Sequence, residues 1–168
     1  MRILAVLPLL ASLCAPAVPA AQPVPEARSA STRSELVEAL EVLHKWDVRR
    51  ARAWARADLD ALGGLYVRGS GAGRADVRML RAYRARGLVV RRLVTQVFAV
   101  RVLRSDMAAL QVRVFDRVAG GEVLDHGDVV PLRSSPPATR TITFHRGAGG
   151  WRVADVSDSG RAPRAARP

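Results

Sequence analysis

Two aspartates stand where the surrounding pattern calls for apolar residues. Asp47 falls between Leu43 and Ala51 in a helical stripe that also holds Leu36, Leu40 and Trp54, read at about 100° per residue. Asp116 falls on the apolar side of an alternating stretch with Leu110, Val112, Val114 and Val118. A carboxylate facing a core is costly unless it is hydrogen-bonded, paired or solvated in a cavity. In a cavity it could act as a general base or as the anchor for a ligand, and two carboxylates meeting there could work as a dyad. The structural alternative is a salt bridge joining helix to sheet. Asp47 would then pair with Arg50, Arg101 or Arg113, and Asp116 with an arginine across the sheet. Arginine is so abundant here that the salt bridge is the first expectation for both.

Other chemistry is thin. The three histidines are His44, His126 and His145. His44 borders the apolar stripe of its helix. His126 sits in Asp125-His126-Gly127-Asp128, a metal-like set of ligand types that is also an ordinary Asp-rich glycine turn; no metal is expected. His145 lies on the threonine side of its strand, with Thr141 and Thr143. Whether those residues line a polar cavity or face solvent depends on which way Ile142 and Phe144 point. The glycines of Gly69-Ser70-Gly71-Ala72-Gly73 have neither the preceding strand nor the Lys-Ser/Thr of a phosphate loop, and they read as a mobile connector. Ser70 lacks the strand-turn-helix setting of a nucleophile elbow. The one cysteine, Cys14, falls in the N-terminal apolar segment, so thiol catalysis, thiolate metal sites and disulfides are not expected in a mature domain. No cofactor is expected.

The elements that must position these residues can be read in order. A first helix is expected over 32–57, opened by a capping box of Thr32 and Glu35. Asp58 caps a short second helix with Leu59, Leu62 and Leu65, ending near Tyr66. A third helix is expected from Arg74 to Arg86, stopped by Gly87. Its buried side would carry Met79, Leu80 and Tyr83, and its outer face Arg74, Arg78 and Arg81. From Leu88 the texture becomes β-branched. Strands are expected near 88–94, 95–104 and 110–118, with Gly120-Gly121 turning the chain. Residues 122–132 read either as a weak strand pair around His126-Gly127 or as a loop. A last hairpin joins 139–146 to 151–156 through Gly147 to Gly150. Helices followed by antiparallel strands imply an α+β fold, helices packed on one face of a curved sheet.

Composition sets the compartment and the partners. Residues 1–20 have a short basic start, an apolar run from Ile3 to Leu13 and small residues before Ala21, the pattern of a cleaved export signal. Bulky Leu13 ahead of Cys14 speaks against lipidation. Residues 21–31 read as a flexible lead-in, 32–156 as the domain and 157–168 as a disordered basic tail. About 150 residues suffice for a core without staples. The formal charge is +12, carried almost wholly by arginine, with Lys45 the only lysine. Outside the cytoplasm that charge would attract anionic polymers, lipid headgroups or acidic proteins rather than nucleic acid.

The run W-A-R-A-D-L-D-A-L-G-G-L-Y-V-R-G-S, Trp54 to Ser70, together with the closing T-I-T-F-H-R-G-A-G-G-W-R-V-A-D-V, resembles the NTF2-like (SnoaL-like) superfamily over about 36–156. What the resemblance implies is a cone, a curved sheet wrapped on three helices with a cavity at its wide end. Some superfamily members do acid/base chemistry there, others bind a ligand, and others dimerise through the outer face of the sheet. On that reading Trp54, Tyr66, Tyr83 and His145 become pocket candidates, although the aromatic ones serve equally as core. The resulting expectation is an exported, non-catalytic binding or interaction module of the cell envelope, taking a small ligand or peptide, or an envelope protein, as partner. One alternative is a cavity enzyme of isomerase or cyclase type using Asp47 with Asp116 or a histidine. Another is an accessory domain docking on an anionic polymer or lipid through Arg74, Arg78 and Arg81. A homodimer through the sheet is compatible with each.

Overall fold

The computed structural model describes residues 25–158, so the expected signal segment, the start of the expected lead-in and the tail beyond Asp158 lie outside the described residues. Helix α1 spans Pro25–Ala55, α2 Leu59–Gly63 and α3 Gly71–Ala85. Five strands follow: β1 (Val89–Ser105), β2 (Ala109–Asp125), β3 (Asp128–Pro131), β4 (Ala138–Gly147) and β5 (Gly150–Asp158). All pair antiparallel in one curved sheet of order β1-β2-β4-β5, with β3 also on β2. The α+β architecture is the expected one.

Helix α1 begins earlier than expected. It runs back to Pro25 through residues read as lead-in, because proline is at home in a first helical turn and nothing from Glu26 to Ser31 breaks a helix. Thr32 and Glu35 are therefore inside the helix rather than at its cap. Its core stripe is also rotated. Ala39, Val42, Leu43, Ala53 and Trp54 are buried, whereas Leu40 is 42% exposed. Leu40 and Asp47 lie on the flank of that stripe, where the helix faces a cavity.

The link from α2 to α3 is tight. Asp58 caps α2 as expected, accepting from the amides of Asp60 (3.1 Å) and Ala61 (2.9 Å). The glycine run is not a mobile connector. Ser70 Oγ accepts from the Gly73 amide at 3.2 Å and caps α3, which starts at Gly71. Gly73 has a steric reason: a Cβ there would stand 2.7 Å from Cβ and Cγ of Tyr66. The chain between α2 and α3 is pinned to the sheet, since the Val67 amide donates to Val153 O and the Val153 amide to Leu65 O, both at 2.9 Å.

The sheet is built of longer strands than the alternation suggests. β1 is one strand interrupted by irregular pairing between Arg91 and Val94 and between Val97 and Ala99. Each irregularity breaks the two-residue period, which is why 88–94 and 95–104 read as separate strands. Gly120-Gly121 does not turn the chain, and β2 passes straight through it. Gly121 is there for close approach, since a Cβ would meet Arg91 O at 3.1 Å and Arg92 O at 3.2 Å. The turn comes at His126-Gly127, both at positive φ, and Asp125 pairs with Asp128 across it. The strand-pair alternative for 122–132 is the one that forms.

The core lies between the helices and the inner face of the sheet. Leu110, Val112, Val114, Ile142, Phe144 and Val153 are all at most 2% exposed. Burying a side chain such as Phe144 contributes about 1.5–3 kcal/mol. Trp46 bridges the layers, edge-on to both Tyr66 and Phe144 at 6.2 Å between ring centres. Ile142 and Phe144 point inward, so Thr141, Thr143 and His145 belong to the outer side of β4.

Candidate functional site

Past the end of the packed core, the helices and sheet separate around a cavity of about 600 Å³. Asp47, Trp46 and Arg50 of α1, Asp76 of α3 and Tyr66 line it from the helical side. Thr95 of β1, Asp116 of β2, Arg140 of β4 and Asp158 of β5 line it from the sheet. Leu40, Leu43, Val97, Val118 and Val156 supply apolar wall between them. The inner rows of β2 and β4 explain the transition. The row of β2 is apolar up to Val114 and then reaches Asp116, whereas that of β4 starts from Arg140 and becomes apolar at Ile142, so the same face is core at one end and cavity at the other.

The aspartates have different surroundings. Asp116 is 4% exposed and forms a two-point pair with Arg140, which donates Nε to Oδ1 at 3.0 Å and Nη2 to Oδ2 at 2.5 Å. This is the cross-sheet arginine expected for it. Asp47 is different, and the expected salt bridge does not form. The Thr95 hydroxyl donates to Asp47 Oδ1 at 2.9 Å, and no arginine pairs with Asp47 among the described residues. Arg101 and Arg113 cannot reach it, because they face each other on the exposed outer side of β1 and β2. Arg50 is engaged elsewhere.

Arg50 belongs to a buried aspartate that sequence reasoning missed. Asp76, 8% exposed, accepts Arg50 Nε and Nη2 at 2.7 Å each, the Tyr66 hydroxyl at 2.7 Å and Trp54 Nε1 at 3.3 Å. The guanidinium also lies 5.9 Å from the ring centres of Trp46 and Trp54, within cation–π range. Burial alone would lower the pKa of Arg50, but the bonds and charge of Asp76 outweigh it and hold the guanidinium above its ordinary value. Burial, reinforced by the Asp76 carboxylate, pushes the Tyr66 hydroxyl up, against a smaller opposite pull from Arg50. Tyr66 thus stays a neutral donor. A signal for Asp76 was present: Asp76, Leu80 and Tyr83 fall on one face of the third helix, a carboxylate in an apolar row like Asp47 and Asp116.

The remaining candidates separate. Tyr66 lines the cavity. Trp54 is buried core with its indole N–H on Asp76, and Tyr83 packs edge-on against it at 5.5 Å; neither lines the cavity. His145 is exposed at the end of β4, opposite Arg152, and is not part of the cavity either. His44 lies at its edge. Arg74, Arg78 and Arg81 are exposed on the outer side of α3, and Arg74 also donates to Gly69 O. Trp46, not singled out from the sequence, lines the cavity, and its buried Nε1 has no hydrogen-bond partner among the described residues. Among the described residues, no three His, Cys, Asp or Glu side chains gather as a metal site. A second groove of about 550 Å³ lies on the far side of α1 against the β4–β5 turn. Its charged walls, Glu38, Lys45, Arg49, Arg52 and Arg146, are all solvent-exposed side chains.

No family model matches the sequence, and no curated protein matches it. Solved structures do resemble the fold. A candidate aromatic ring hydroxylase from Novosphingobium aromaticivorans aligns with a TM-score of 0.50 at 12% identity, covering 76% of this chain and 92% of that one. An NTF2-like protein with a cystatin-like fold from the same organism aligns at 0.43 and 20% identity, covering 79% and 90%. A candidate dehydratase of the NTF2-like family from Streptomyces avermitilis aligns at 0.45 and 15% identity, covering 78% and 99%. At such identities the likeness is one of fold and carries no substrate with it. Three helices on a curved antiparallel sheet, with a cavity where the two layers part, are the α+β architecture in which this chain resembles the first of those structures.

Proposed function

We propose that the chain is a binding module that takes a small ligand into the cone cavity and holds its polar end on Asp47. The observation that carries this is the state of Asp47. It lines a space of about 600 Å³ with substantial apolar wall, and its carboxylate is met by the Thr95 hydroxyl rather than by an arginine. The other two inward aspartates are consumed by Arg50 and Arg140. A site with apolar walls and a few convergent polar groups is the usual form of a small-molecule pocket. Export through the N-terminal signal, with a mature chain beginning at Ala21, is part of the same proposal; intact-mass measurement of the secreted protein checks it.

Titration with the neutral apolar fluorophore N-phenyl-1-naphthylamine tests the binding reading. One saturable site per chain is expected, lost in Val97→Trp, where the indole fills the cavity. Absence of saturable binding, or binding unaffected by that substitution, rejects it.

That Asp47 meets no arginine among the described residues also supports a second reading, acid/base catalysis in the same cavity. An arginine-neutralised carboxylate makes a poor base, and Asp47 is not so neutralised. A ligand that is chemically converted by the protein, with conversion but not binding abolished by Asp47→Asn, would establish this reading over simple capture.

A further inference from the structure

We infer that the cone selects a cationic ligand, an amphiphile with one protonated amine and an apolar body. The inference rests on the reading of the cone as a ligand site and adds the chemical class. The exterior is strongly basic, yet the cavity is not. Four aspartates line it, Asp47, Asp76, Asp116 and Asp158, against two arginines, Arg50 and Arg140. Among the described residues these groups leave two negative charges uncompensated. Their location is defined by the pairings. Arg50 satisfies Asp76 and Arg140 satisfies Asp116, each by a two-point contact. Asp158 stands opposite Arg140 in the β4–β5 register, but Arg140 is already turned to Asp116. The excess charge therefore sits on Asp47, inside, and on Asp158, at the exposed end of β5.

The basic surface does not cancel this. Salt screens exposed charges over about 8 Å at physiological ionic strength, so the outer arginines weaken in solution while charges inside a cavity interact at a lower effective dielectric. The surface would slow the approach of a cation without removing the stability of its bound state. A carboxylate ligand meets the opposite balance: both cavity arginines are occupied, and it would be brought against Asp47. The tilt is thus specific to the ligand's head. Its tail would lie along Leu40, Leu43, Val97, Val118 and Val156, with the ring of Tyr66 nearby.

Three probes of one shape separate the head from the tail: 1-adamantanamine, 1-adamantanol and 1-adamantanecarboxylate, titrated by calorimetry at pH 7 into the full exported chain. The amine is expected to bind at least tenfold more tightly than the alcohol, about 1.4 kcal/mol, and the carboxylate more weakly than the alcohol. Asp47→Asn should cut the amine-to-alcohol ratio at least threefold, with an unchanged far-ultraviolet circular dichroism spectrum showing that the variant is folded. Asp158→Asn, a surface change, should cut the ratio less. An alcohol that binds as tightly as the amine, or a ratio unmoved in both variants, overturns the cationic class while leaving the cone site standing. Failure of all three probes to bind would overturn the cone reading together with it.

Discussion

The Asp76 cluster permits the sharpest forecast about stability. Replace Asp76 by Asn. The change is nearly isosteric, so the volume is kept, but a buried guanidinium loses its counter-charge. Asp76 is 8% and Arg50 20% exposed at the side chain, so water does little to compensate. Two arginine bonds of 2.7 Å, the Tyr66 bond of 2.7 Å and the Trp54 bond of 3.3 Å all converge on this one group. Every donor points at it, so an Asn amide nitrogen must face at least one of them. Removing one member of a buried pair costs about 3–5 kcal/mol. For about 130 ordered residues that is a fall in Tm of roughly 10–18 °C. Urea unfolding followed by tryptophan fluorescence measures the free energy. The double-mutant cycle with Arg50→Met identifies the cause. Once the cation is gone, the second substitution has less to break, and a coupling energy of about 2 kcal/mol or more is expected. A loss below about 1 kcal/mol for Asp76→Asn, or strict additivity in the cycle, would refute the view that this pair fastens α1 to α3.

Gly73→Ala should destabilise by about 1–3 kcal/mol in the same assay, although alanine is the better helix former. The new methyl would stand 2.7 Å from Tyr66, and an unchanged or raised stability would show that Tyr66 can move aside. Tyr66→Phe tests the sign of a pH effect. The folded Tyr66 hydroxyl titrates above its ordinary value, so its contribution is fully present below the unfolded pKa of about 10 and declines as pH rises through the folded one. Wild type should lose up to roughly 1.4 kcal/mol per pH unit from this group above pH ~10. Tyr66→Phe should start less stable at pH 8 and decline less steeply; parallel declines would contradict the assignment.

Much of this fold is legible in the chain because its periodicities are clean where the core is dense. Leu110, Val112 and Val114 alternate without interruption, and the Ile142–Phe144 face is equally clear. Legibility fails where backbone irregularity resets the period, as at Arg91–Val94 and Val97–Ala99, and where a glycine serves close approach instead of turning, as at Gly121. The site follows the same rule. Asp47 and Asp116 announce themselves as charges in apolar rows. What the row cannot show is which arginine each one meets. Arg50 lies one turn from Asp47 on the same helix, but its guanidinium is drawn to α3, where Asp76, Tyr66 and Trp54 converge. The glycine run resembles a connector and in fact opens the helix that carries Asp76. The lack of room for any side chain at Gly73, set by Tyr66, is a tertiary fact.

The most direct test of the cone as the binding site is where a ligand perturbs the protein. Amide chemical shifts of uniformly 15N-labelled protein, recorded while N-phenyl-1-naphthylamine is added, report this residue by residue. Shifts should concentrate at Leu43, Asp47, Thr95, Val118 and Val156, around the cavity. Thr143 and His145, on the outer side of β4, should stay still. The contrary result is a pattern centred on the exposed Phe98 and Phe115, whose rings lie 5.3 Å apart on the outer face of the sheet, with Asp47 and Thr95 unmoved.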